Sequence, residues 1–438
     1  MPDDRHEGGN LARALYSFLL YLMTPLVPLR LIWRGLRAPA YLRRWPERFG
    51  WFKAPELRDA IWVHAVSVGE VHAAEPVVRR LRERHPDRDI AITTTTPTGS
   101  ARVRELFGNS VFHVYTPYDL PGAVKRFLNR VDPKLAVIME TEIWPNLFHA
   151  CGGRGIPVVM ANARMSARSA RGYGRFSKLV ASTLRQCTAI AAQSTADRER
   201  LVALGAPEER VIVTGSVKFD ISVPASLRER ADGLRRAWGS DRAVWIAGST
   251  HEPEEQQLLE AFESVRRDLP DALLVLAPRH PERFDRVAAL VRRQGLRLAR
   301  RSEAEMGGGD ADCLLVDTLG ELPLFYAAAD LAFVGGSLAG TGGHNVLEPA
   351  ALGLPVLIGP NYFNFLEITE LLRDEGALLV VKDHQALAEV AARLLRDGDA
   401  RDRMGAAAAA VIERNRGAVE RLLEIIEKTN RATNGAPA

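Results

Sequence analysis

The sequence predicts an α/β fold made of two doubly wound domains in series, and three observations carry that prediction. Short apolar or β-branched runs alternate with helical patterns along most of the chain. The alternation stops once, at the polar stretch "DISVPASLRERADGLRRAWGSDR" (Asp220 to Arg242), and then resumes. Finally, 438 residues, 47% hydrophobic and 26% charged, suffice for two full-sized cores in an ordinary globular composition. Such alternation puts parallel strands between two helical layers, and two series imply two Rossmann-like domains with a cleft between them. The expected divisions are residues 1–40, a tail and membrane-anchoring helix; 41–225, the first Rossmann-like domain; 226–415, the second; and 416–438, a helix packing back across the hinge, with a tail.

The N-terminal element is "ALYSFLLYLMTPLVPL" (Ala14 to Leu29), continued by "LIW" after Arg30. It reaches the short edge of the ~20 residues that span a bilayer, and Pro25 and Pro28 would kink it. The leader "MPDDRHEGGN" is not positively charged, which argues against a cleaved signal peptide. Arg30, Arg34, Arg37, Arg43, Arg44, Arg48 and Lys53 face one acid, Glu47, and that bias keeps the flank and the following domain cytoplasmic. A spanning signal anchor and a helix lying in the interface both satisfy the pattern, and a buried amphipathic helix is the alternative. A net charge of only +4 gives no reason to expect nucleic acid as a partner. Cys151, Cys187 and Cys313 are too scattered for a disulfide framework or a metal cluster and read as reduced core thiols.

Strand-like segments then follow in order: "AIWVHAV", "DIAITTTT", "VFHVYTP", "KLAVIME", "PVVMANAR" and "TAIAAQS". Helical patterns such as "HAAEPVVRRLRERHP" and "PGAVKRFLNRV" separate them. After the polar stretch come "AVWIAGST", "DALLVLAPRH", "CLLVDTL", "LAFVGGS", "LPVLIGP" and "GALLVV". A final Ala-rich helical stretch runs from about Arg401 to Lys428.

Loops at the carboxyl ends of such strands line the ligand crevice of an open α/β sheet. In "HAVSVGEVHAAEP" one of these loops carries Glu70. "VIMETEIWPNL" adds Glu140 and Glu142 beside Trp144, and acids are uncommon at buried strand ends unless paired or functional. "NARMSARS" and "TGSVKFD" contribute Arg164 and Lys218. In the second series, "FVGGSLAGTGGHNVLEPAALGLPVLIGP" passes through two glycine pairs and opens a helix near Asn345, a place for a phosphate, with Glu348 suited to ribose hydroxyls. Arg279 in "APRHPERF" and the junction Ala247 to Glu255 complete three converging βα turns, which favour a nucleotide. There is no P-loop motif, and no GxGxxG opens the first unit.

Taken together, "SVGE", "METEIWPN", "NARMSARS", "GSVKFD", "AGSTHEPEE", "PRHPERF", "DTLGEL", "FVGGSL" and "GGHNVLEPAA", in this order, resemble the 3-deoxy-D-manno-octulosonic acid (Kdo) transferases that act on lipid A precursors. The resemblance runs from about Arg43 to the end of the second domain. It implies a GT-B glycosyltransferase fold, CMP-Kdo as donor, lipid IVA as acceptor, and attachment to the cytoplasmic face of the inner membrane, within lipopolysaccharide biosynthesis. It also implies inverting transfer with Glu70 as general base, assisted by Glu140 and Lys218. For the donor it implies Pro278 and Arg279, then Leu319, Gly320 and Glu321, then Asn345, Val346, Leu347 and Glu348. Val346 stands where many members carry a proline. No cofactor or metal is implied, since CMP-Kdo is a substrate. Two other readings use part of this set: an inactive membrane-bound nucleotide-sugar-binding protein, and a nucleotide-sugar epimerase of the same architecture.

Overall fold

The computed structural model describes residues 4–37, 39–221, 223–303 and 308–434. The first three residues of the leader, the side chains of Arg34 and Arg37 in the basic flank, and the last four residues lie outside it. The chain divides into two compact units, one of Met1–Asp220 with Arg416–Ala438 and one of Ile221–Asn415.

Strands β1 (Ile61–His64), β2 (Ile90–Thr94), β3 (Phe112–Tyr115), β4 (Leu135–Met139), β5 (Val158–Ala163), β6 (Ala189–Ala192) and β7 (Val211–Val213) form one sheet in the first unit. Its order is β3-β2-β1-β4-β5-β6-β7 and all pairings are parallel. Alternate residues of β1 enter opposite cores. Trp62 packs with Phe127, Phe148 and Ile138, whereas Ile61 and Val63 pack with Val71, Val77 and Leu81. Both faces are covered, so the strands read as continuous apolar runs. The C-terminal helix Ala418–Asn434 completes the second face with Val419, Leu422, Leu423 and Ile426. The Asp220 carboxylate caps the start of that helix, accepting from the N–H of Gly417 (2.6 Å) and of Val419 (2.5 Å).

The second unit holds β8 (Val244–Thr250), β9 (Leu273–Pro278), β10 (Leu298–Arg300), β11 (Cys313–Leu315), β12 (Leu331–Val334), β13 (Val356–Ile358) and β14 (Leu378–Val380). Again all pairings are parallel, in the order β10-β11-β9-β8-β12-β13-β14. Trp245 and Phe333 fill one core, Ile246 and Val275 the other. Two strands have no counterpart in the sequence reading, β7 and β10. Each is a three-residue sheet edge with little burial; β10, "LAR", has no apolar run, whereas β7, "VIV", is a short β-branched one. The three cysteines are buried and free, as expected.

The N-terminal stretch corrects an expectation. It forms two helices, α1 (Asp4–Met23) and α2 (Leu26–Arg37), parted at Thr24 and Pro25. Pro25 has no N–H with which to continue the helical ladder. Among the described residues no helix is long and apolar enough to cross a membrane, so a spanning anchor is not supported. Instead α1 lies against the helix Ser177–Leu184 of its own unit. Ser17 Oγ donates to Asn146 Oδ1 at 2.9 Å, and the Gly122 N–H donates to Tyr21 Oη at 3.1 Å. The opposite face stays apolar and exposed through Leu11, Leu15, Phe18 and Leu22, continued on α2 by Leu26, Leu29 and Leu36.

Candidate active site

Within the first sheet, β1 and β4 flank the point where strand order reverses, and crevices open at the carboxyl ends of such strands. Glu70 follows β1, Glu140 follows β4 and Lys218 follows β7. Glu70 is not a bare loop acid. Ser67 caps α3 (Val68–Arg84), and Glu70, three residues on, accepts from Val66 N–H (2.8 Å) and Ser67 Oγ (3.0 Å). This is a variant of the capping box. Burial raises the Glu70 carboxyl to about 8; the Val66 and Ser67 hydrogen bonds oppose the rise, and the charges of Glu142 and Glu140 add to it. Glu142 is also raised by burial, against the hydrogen bond it accepts from Trp144 Nε1 at 2.7 Å. Lys218 Nζ lies 3.3 Å from Glu140 Oε1, so the structure joins two residues that the sequence holds far apart. The backbone is strained here: Glu140 and Asn162, at the ends of β4 and β5, have φ of 53° and 55°. Thr141 Oγ1 donates to Arg164 O and accepts from Arg164 N–H (3.0 Å), tying those two loops together.

In the second sheet the reversal lies between β8 and β12. Pro278 ends β9, and the Arg279 N–H donates to Thr250 O at 3.0 Å, leaving an exposed guanidinium beside this point. The helix after β12 begins at Leu347 and runs only to Ala351, later than expected. Val346 is its N-cap and is fully buried. Asn345 Oδ1 accepts from Leu347 N–H (3.1 Å), while its Nδ2 donates to Glu348 Oε1 (3.1 Å). Burial raises the Glu348 carboxyl, with the Asn345 hydrogen bond and Arg279 opposing. Leu319 is exposed and Gly320 has a φ of 81°. The Glu321 carboxylate is already engaged, by Arg301 (2.9 Å), by Thr318 Oγ1 (2.6 Å) and more loosely by Arg230 (3.5 Å), which hold it below its ordinary range.

Several residues with a positioning role escaped the sequence reading. Asn162 is fully buried, and its Oδ1 accepts from Val217 N–H at 3.1 Å, fixing the turn that carries Lys218. Glu254, also fully buried, accepts from the N–H of His251 (2.8 Å), Gly336 (2.6 Å), Leu338 (3.2 Å) and Ala339 (3.3 Å). It thereby binds the loop after β8 to the glycine-rich loop after β12. His251 and His344 stack at 5.0 Å with their Nε2 atoms 2.7 Å apart, so one imidazole donates to the other. Burial lowers His344 to about 4. Among the described residues no group of three or more His, Cys, Asp or Glu is placed to hold a metal ion.

Comparison with known proteins agrees across both units. Residues 43–221 match the family model for 3-deoxy-D-manno-octulosonic-acid transferase, and residues 250–411 the model for group 1 glycosyl transferases. The chain is 42% identical over 418 residues to 3-deoxy-D-manno-octulosonic acid transferase of Haemophilus influenzae, covering 95% of this chain and 98% of that one. For the Bordetella pertussis transferase of the same name the identity is 39% over 436 residues, with 95% and 99% covered. Among solved structures, a UDP-GlcNAc 2-epimerase from Neisseria meningitidis has a TM-score of 0.55 at 15% identity, with 84% of this chain and all of that one covered, a likeness of fold alone. Identity of this extent over nearly the whole chain settles the family: the chain belongs to the 3-deoxy-D-manno-octulosonic acid (Kdo) transferases and is a glycosyltransferase.

Proposed function

We propose that the chain transfers Kdo from CMP-Kdo to lipid IVA with inversion, Glu70 acting as general base. The observation that carries this reading is a buried carboxylate at the reversal point of the first sheet, raised to about 8 and accompanied by the Glu140–Lys218 pair. An acceptor hydroxyl attacks the anomeric carbon of Kdo and gives its proton to Glu70. The bond from that carbon to the CMP phosphate oxygen breaks, and CMP leaves with the electron pair. A base near neutrality suits that proton transfer. Lys218, held by Glu140, offsets negative charge that develops on the phosphate or stands on the Kdo carboxylate. The nucleotide is assigned to the second unit, on Pro278 and Arg279, the Leu319–Gly320 backbone and the turn from Asn345 to Glu348. Glu321 keeps that backbone in place through Arg301. The reading assigns no metal.

Attachment to the cytoplasmic face of the inner membrane belongs to the same proposal. The exposed face of Leu11, Leu15, Phe18, Leu22 and Leu26 suits a helix pair lying in the interface, flanked by the arginines from Arg30 onward. The test of the reaction is CMP release from CMP-Kdo, with and without lipid IVA, for wild type and Glu70→Gln. Release should depend on the acceptor and fall by at least ~10²-fold in the variant. Near-wild-type turnover would leave Glu70 a helix cap only and move the search for the base to Glu142 or Glu140.

A further inference from the structure

The first unit contains a cavity of 220 Å³ that the reaction as described does not use. Val27 and Leu31 of α2 form one wall; Thr95, Thr96 and Thr116, from the ends of β2 and β3, form another. Two guanidinium groups, Arg30 and Arg48, line it. Arg48 is 5% exposed. Its Nη2 donates to Thr95 O at 2.8 Å, its face lies 4.4 Å from the centre of the Tyr115 ring, and its buried Nε has no partner. No carboxylate pairs with Arg48 among the described residues. The adjacent Glu47 is committed to Arg44 (2.7 Å) and to the Tyr115 N–H (2.9 Å). A buried, unpaired cation is costly unless an anion reaches it. Thr96 caps α4 (Pro97–Phe107), so the positive end of that helix adds to the field. The cavity also adjoins the catalytic loop: Thr95 donates through N–H (3.1 Å) and Oγ1 (3.0 Å) to Val66 O, and the Val66 N–H donates to Glu70.

We infer that this cavity is an acceptor subsite for a phosphate monoester. Arg48 and Arg30 hold the anion, and the apolar wall of α2 follows the lipid portion of the same molecule. At ~30 Å³ per liquid water the space would take several waters, enough for a phosphate with part of its sugar. The inference rests on the Kdo-transfer reading and adds the group by which the acceptor is seated beside Glu70.

The test compares kcat/KM for lipid IVA and for its dephosphorylated form in wild type, Arg30→Gln, Arg48→Met and Arg48→Lys. Wild type should prefer the phosphorylated acceptor. Arg30→Gln and Arg48→Met should each lower that preference ~10-fold or more, as expected for a lost charge-assisted contact, and Arg48→Lys should restore part of it. Equal losses on both acceptors overturn the inference. If Arg48→Met melts early, Arg30→Gln, on the exposed rim, decides the matter. Binding of both acceptors is followed in parallel by tryptophan quenching, with Trp144→Phe as reference for the signal from the cavity wall. A wild type that binds the phosphorylated acceptor preferentially but transfers to neither counts against the proposed function alone. Flotation on vesicles with and without phosphatidic acid separates a membrane phosphate from the acceptor's own. Variants that lose only the phosphatidic-acid dependence, with acceptor preference intact, overturn the assignment.

Discussion

The pH dependence of acceptor-driven CMP release should report directly on the buried carboxylate cluster. With Glu70 at about 8, only about one-eleventh of the base is ionised at pH 7 and ~1% at pH 6. Thus kcat/KM should fall ~10-fold and then ~100-fold below its alkaline plateau, with unit slope. Glu142→Gln removes one of the two neighbouring charges that push Glu70 upward, so its acid limb should move to lower pH. Burial, the largest cause, is untouched, and the limb should remain above the ordinary 4.5. The same shift has a stability consequence. Between 4.5 and about 8 the folded state holds a proton at Glu70 that the unfolded state has lost, so stability falls as pH rises through that window, by at most ~1.4 kcal/mol per pH unit. Glu70→Gln keeps an acceptor for the Val66 N–H but has no charge to desolvate. It should therefore melt above wild type at pH 8, the gap closing toward pH 4.5. A wild-type limb near 4.5, a flat rate from pH 5 to 9, or a variant less stable than wild type at pH 8 would refute this account of Glu70.

Two further outcomes test neighbouring parts of the proposal. The Glu140–Lys218 pair is partly exposed, with side-chain accessibilities of 28% and 30%. Lys218→Met should therefore cost under ~1 kcal/mol in a calorimetric melt yet lower turnover by ~10²-fold or more, and retained turnover would remove the cation from the mechanism. The double change Leu15→Glu and Phe18→Glu alters only the exposed face of α1 and should reduce flotation with neutral vesicles at least ~10-fold, the loss of burying one such side chain. Undiminished flotation would place the membrane contact elsewhere.

The strands most legible in the sequence are those covered on both faces, such as "IWVH" and "LAVIM", where every residue is buried. β10, "LAR", leaves no apolar pattern, whereas β7, "VIV", is a β-branched run as legible as the edge strand β14, and the absence of β10 from the sequence reading has a consequence. Arg301, just after β10, holds the Glu321 carboxylate, so the reason for an acid in "DTLGEL" was hidden with the strand. Glu70 was legible as an acid at a strand-to-helix corner. The S-x-x-E spacing of Ser67 and Glu70 is also present in the sequence, and it is the pattern of a helix cap. Asn162 and Glu254 could not be read locally. Apart from the His251 N–H, their partners are backbone groups brought in from other loops, which only the folded sheet supplies. At the N-terminus hydropathy gave a length but neither the partner helix at Ser177–Leu184 nor the break at Thr24 and Pro25 that parts the stretch into two shorter helices.

The capping of the helix Ala418–Asn434 by Asp220 bears on the order in which the protein is made. The first unit's core face of Val71, Val77 and Leu81 is finished only by Val419, Leu422 and Ile426, which emerge after the entire second unit. During synthesis that face must wait uncovered while about 200 residues are added, on the order of ten to forty seconds at 5–20 residues per second. The second unit, a continuous segment, has no such delay and can complete its fold first. A stop codon shortly before Ala418 would spare every catalytic candidate yet leave an apolar surface open, and its damage would surface as aggregation during synthesis rather than as altered chemistry.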